Sequence, residues 1–156
     1  MTEETTKDTI KKTHREFAVE LFNKTWDLMD KEDRTAEDTD HMIHAAHASR
    51  YHWGVIGEPI HWQRGEWQIS RVYSVADRPE PCLYHAQRCM MITETYEIGG
   101  FDRAFAHEAL ARAYSLLKDA DMMAKHLKLG KEAAEEIEDK GDKDYTLGEL
   151  NNIKID

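Results

Sequence analysis

Arg71-Val72-Tyr73-Ser74 returns 41 residues later as Arg112-Ala113-Tyr114-Ser115. A fixed step of this length is the mark of a chain built from repeated supersecondary units. The step holds on both sides of the tetrapeptide. His85 falls on His126, Glu94 on Glu135 and Glu97 on Glu138, and the break Asp77–Pro81 falls on Lys118–Met122. Two helix–turn–helix units in one register are therefore expected.

The rest of the chain reads as helix in the same manner. Ile10, Phe17, Leu21 and Leu28 share one stripe of a first helix over about 6–31. Thr35-Ala36-Glu37-Asp38 has the form of a capping box and opens a second helix, which runs to about Trp53 before Gly54 and Gly57. Pro59 starts a third helix to about Ala76. The turn Asp77–Pro81 starts a fourth, to about Tyr96. Gly99-Gly100 stops it. A fifth (101–117), a sixth (121–138) and a short seventh (143–153) follow. No period-two strand pattern appears. With short connections, consecutive helices must pack antiparallel. The expectation is one all-α domain over 1–156, with hairpins at 6–54, 59–96 and 101–138 and a capping helix.

Within each copy, large, small and aromatic residues follow a set order. The first reads Ile69-Ser70, Tyr73, Cys82, Ala86, Cys89; the second reads Leu110-Ala111, Tyr114, Met123, Leu127, Gly130. This resembles a degenerate tetratricopeptide repeat. The leading tryptophan position of that family holds Glu66 and His107 here, and the period is longer than the family's. The resemblance implies hairpins stacked as a short right-handed superhelix, with Tyr73 and Tyr114 buried between hairpins. It also implies a concave groove lined by the first helix of each hairpin. By position, Arg64, Trp67, Arg71 and Ser74 line it from one copy, and Phe105, Glu108, Arg112 and Ser115 from the next. Guanidinium groups capture carboxylates or phosphates, so a protein or peptide partner with an acidic tail is expected. Replacing Arg71 and Arg112 is expected to leave stability nearly unchanged, unless they pair with Glu66 and Glu108.

Composition narrows the function classes. The 156 residues carry a formal net charge of −10, with an acidic excess over 131–156. A nucleic-acid binder shows a basic patch, and none is present. No apolar run approaches a membrane span, and the first residues lack the apolar core of a signal peptide. Cys82 and Cys89 stand two helical turns apart, roughly 10 Å, beyond the reach of a disulfide. Free thiols fit a reducing, cytoplasmic location.

The second helix offers the competing chemistry. Asp40, His44, His47 and Tyr51 fall on one face. A carboxylate with two imidazoles suits zinc or iron, given a third ligand such as His61 or His14. The small residues around them, Ala45, Ala46, Ala48 and Ser49, point instead to packing between helices. Cys82-x-x-His85-x-x-x-Cys89 poses the same choice, and its cysteines occupy the small-residue positions of the repeat. No phosphate-binding glycine loop and no nucleophile elbow occurs. The sequence points to a non-enzymatic scaffold without a cofactor. The alternatives are a small metal-dependent protein using Asp40, His44 and His47, and a regulatory module that works as a homodimer.

Overall fold

The computed structural model describes residues 2–156. These residues form seven α-helices and no strand: α1 (Glu3–Asp30), α2 (Ala36–Ile56), α3 (Pro59–Val75), α4 (Pro79–Thr95), α5 (Gly100–Leu116), α6 (Ala120–Glu135) and α7 (Lys140–Asn151). The capping box at Thr35 is formed, with the Thr35 hydroxyl accepting from the Asp38 N–H and the Asp38 carboxylate from the Thr35 N–H. Gly54 lies inside α2 and the helix ends at Gly57. A Cβ there would stand 2.6 Å from the Trp53 carbonyl oxygen, so only glycine allows this close turn.

The 41-residue step is a step in structure as well. α3 and α5 begin and end one step apart, and α4 and α6 begin one step apart. Both first helices finish in the same way. Asp77 and Lys118 take the left-handed conformation, φ 56° and 58°. The N–H of the following residue then returns to the tyrosine carbonyl, Arg78 to Tyr73 at 2.8 Å and Asp119 to Tyr114 at 3.0 Å. This closure satisfies carbonyls left open at a helix end and reverses the chain in a few residues.

α1 packs most extensively on α2, α3 on α4 and α5 on α6. The first helices also approach in a row, α1 to α3, α3 to α5 and α5 to α7, and each second helix packs on the next first helix, α2 on α3 and α4 on α5. Small residues make the close approaches. Ala86, Cys89, Ala106 and Ala109 form the centre between the second and third hairpins, with Trp67 and Tyr114 against it. Leu28, Met42, Ala46, Ile69 and Val72 fill the space between the first and second. Ala104, Ala133, Ala134, Ile137 and Leu150 seat α7.

Leu150 is the anchor of α7. It is fully buried, with its methyl group 2.9 Å from where a Cβ on Gly130 would sit. Truncating it removes a packed side chain and leaves a cavity. Leu150→Ala is expected to cost about 2–5 kcal/mol, read from the midpoint shift in urea at unchanged slope.

Candidate functional site

A cleft of about 380 Å³ crosses the row of first helices. Phe22 and Trp26 come from α1, Gln63, Arg64 and Trp67 from α3, Phe101, Asp102 and Phe105 from α5, and Tyr145 from α7. Helical offsets of three and four place each set on one side of its helix. The rings touch in sequence. Phe22 meets Trp26 edge-on at 6.4 Å, Trp26 meets Trp67 at 5.7 Å, and Trp67 meets Phe105 edge-on at 5.7 Å. Phe105 continues to Phe101 at 4.7 Å and to Tyr145 at 6.0 Å. A shallower depression along the outside of α6, by Leu127, Lys131 and Glu135, is larger, but it belongs to one helix and has no convergent polar groups.

Beside the aromatic floor lies an ion-pair knot. The Glu108 carboxylate is almost wholly buried. Oε2 accepts from Trp67 Nε1 at 2.9 Å. Oε1 accepts from Arg71 Nη1 at 3.3 Å and from Arg112 Nε at 2.8 Å, and pairs with Arg112 Nη2 as well. Glu149 of α7 approaches the same two guanidinium groups at 3.8 and 4.0 Å. Burial pulls the Arg71 pKa below its usual range, and neighbouring Arg112 adds to this. Farther along, Arg64 forks onto Asp102 with bonds of 2.9 and 3.2 Å, which hold its pKa above the usual value.

The structure thus brings together Arg64, Trp67 and Phe105 as cleft wall, and corrects the roles of Arg71, Glu108 and Arg112. The arginines do not present a free basic surface, because a carboxylate of the next hairpin lies between them. Ser74 and Ser115 turn inward to their own helices, their hydroxyls donating at 2.7 Å to the carbonyls of Arg71 and Arg112.

The sequence reading passed over Phe22, Trp26, Gln63, Phe101, Asp102 and Tyr145. The signal for Trp26 was present: Trp26, Trp67, Glu108 and Glu149 stand at successive steps of 41. So do Leu28, Ile69 and Leu110, and Ala48, Cys89 and Gly130. The register therefore extends into α1, α2 and α7.

The histidines follow the repeat. His85 stacks on Tyr73 and His126 on Tyr114, with ring centroids at 5.7 and 5.8 Å and near-parallel planes. Each meets a polar side chain, and the two partners, Glu66 and His107, stand one 41-residue step apart. His85 Nδ1–H donates to Glu66 Oε2 at 2.7 Å, and Nδ1 of His126 lies 3.1 Å from Nδ1 of His107. Arg50 Nε stands 3.4 Å from the other Glu66 oxygen. Tyr73 and Tyr114 are half-buried, and the Tyr73 hydroxyl reaches α2 through His47 Nε2 at 2.8 Å.

The face proposed for a metal does not converge. Asp40 and His44 are exposed, while His47 is engaged with Tyr73 and packs edge-on to His85. His14 bonds His52, and His61 stacks on Trp53. Among the described residues no group of three or more His, Cys, Asp or Glu side chains is placed to hold a metal ion. Cys82 and Cys89 are free and buried, and burial pushes both thiols up in pKa. Among the described residues, no helix is long and apolar enough to cross a membrane. No protein-family model matches the chain, and neither a curated protein nor a solved structure matches it.

Two outcomes follow from these contacts. Replacing Arg71 and Arg112 together by Ala leaves a buried carboxylate with only an indole donor. The double variant is expected to lose about 3–5 kcal/mol, read by chemical denaturation. The second outcome concerns pH. Burial, and then the neighbouring His126, lower His107 from 6.5 to about 4. Above pH 6.5 the ring is neutral both folded and unfolded, so it contributes no pH dependence. Between 6.5 and about 4 the unfolded chain takes up the proton and the folded one does not, so stability falls as pH falls. His107→Asn is expected to flatten the stability profile in that window. An unchanged slope would place the titration elsewhere.

Proposed function

We propose that the chain is a non-enzymatic, tetratricopeptide-like scaffold that holds a segment of a protein or peptide along the cleft across α1, α3, α5 and α7. The observation that carries this reading is the origin of the cleft wall. Every residue that lines it comes from a first helix of a hairpin or from α7, which follows the third hairpin in the same register. A row of first helices is the surface that stacked hairpins offer to extended ligands. Rigid aromatic side chains beside a few fixed polar groups are what a recognition site needs. Of the residues that resemble ligating sets, His47 is bonded to Tyr73, and Cys82 and Cys89 are buried. The free, buried thiols support placing the scaffold in the cytoplasm.

Tyr145 tests the reading without disturbing the fold, since it is 58% exposed. Linear peptides selected on the folded chain from a random display library are expected to bind at least about tenfold more weakly to Tyr145→Ala, a difference of about 1.4 kcal/mol. The melting temperature should stay the same. Selected peptides that bind Tyr145→Ala as well as the parent would move recognition away from the cleft.

A further inference from the structure

We propose that the occupant of the cleft is an uncharged, extended, proline-bearing segment. This rests on the peptide-binding reading and narrows it to one chemistry.

Charge is the first argument. Each cation on or beside the wall already faces a carboxylate: Arg64 faces Asp102, and Arg71 and Arg112 face Glu108 with Glu149 behind. A charged side chain entering the cleft would give up water and meet no free countercharge. A wall neutralised within itself complements a neutral ligand.

Hydrogen-bonding capacity is the second. Trp67 Nε1 is committed to Glu108. Trp26 Nε1–H and the Tyr145 hydroxyl have no hydrogen-bond partner among the described residues, and both side chains line the cleft. Gln63 is 1% exposed and donates through Nε2 to the Thr93 hydroxyl at 3.2 Å and to the Asp102 carbonyl at 2.8 Å. It has its carbonyl oxygen left to offer. The wall therefore presents two donors, with the Gln63 carbonyl and the Tyr145 hydroxyl oxygen as acceptors. A polyproline II segment answers the donors with carbonyls that lack internal partners.

The aromatic row supplies the third. Pyrrolidine rings pack on flat aromatic faces, and a polyproline segment is already extended, so little chain entropy is lost on docking. The ring row from Phe22 to Tyr145 is continuous, and so it can take successive turns of such a helix.

The test is calorimetric titration of the intact chain with three ten-residue peptides: polyproline, a glutamate-rich peptide and an arginine-rich peptide. The parent chain is expected to bind polyproline best, with affinity changing less than about twofold between 50 and 500 mM NaCl. Trp26→Phe/Tyr145→Phe keeps both rings and removes both donors. It is expected to weaken polyproline binding about tenfold with unchanged helicity and melting temperature. If the glutamate-rich or arginine-rich peptide binds best, falls away with salt and is lost in Tyr145→Ala, the inference is overturned and the cleft remains a peptide site. If polyproline binds equally to parent and double variant, donor recognition is wrong and the inference falls. If no peptide binds in a way that depends on Tyr145, both the inference and the peptide-binding reading fall.

Discussion

A carboxylate removed from water must be given donors, and Glu108 is removed almost completely. Its partners come from two hairpins: Trp67 and Arg71 from α3, and Arg112 from its own helix α5. The helices cannot slide past one another without stranding the charge, because the attraction between the groups is realised only in this geometry. The knot thereby sets the rotation of α3 against α5. It also fixes the Trp67 ring, whose edge is tied to Glu108 while Phe105 and Trp26 pack against it. The form of the cleft follows from this one buried group.

The histidine pairs show how the same register accepts different chemistry. At equivalent places one copy uses a carboxylate against an imidazole, Glu66 with His85, and the other uses two imidazoles, His107 with His126. Each imidazole also lies flat on the tyrosine of its own hairpin. In each copy a polar pair with a stacked tyrosine joins the paired helices through directional bonds. The second pair has no carboxylate, so at least one ring must stay neutral for the other to donate to it. Burial is the main physical source of the low His107 pKa, and the neighbouring His126 adds to it.

Helices and turns were legible because their signals are local. Pro59, the Thr35 box and the break Asp77–Pro81 act within a few residues, and the 41-residue step of Tyr73 and Tyr114 is visible by eye. Faces were legible too, which is why Arg64, Trp67 and Phe105 were placed on the cleft. Pairing was not. Arg71 and Glu108 lie 37 residues apart, and only the packing of α3 on α5 decides that they meet. Tyr145 was hidden because α7 looks like a terminal cap until its register is known. At the face of Asp40 and His44, helical spacing gathers side chains on one helix, but among the described residues no second helix brings a third ligand beside them.

The first helices meet in a row, and the outer helices α2 and α4 each pack on the next first helix, with His47 of α2 also reaching His85 of α4. Mechanically, the molecule is a spine with each rib braced on the next vertebra. Bending that opens the cleft would strain the packing of α2 on α3 and of α4 on α5. The stiffness is uneven. Between α3, α5 and α7 the buried charges resist, since small displacements cost electrostatic energy. Between α1 and α3 the direct contact is sparse, and at the cleft it is carried by two tilted tryptophans and by the bond from Gln68 Nε2 to the Phe22 carbonyl at 3.0 Å. The Trp26 wall is therefore held by packing and a neutral hydrogen bond, and the Trp67–Phe105–Tyr145 wall by buried charge as well.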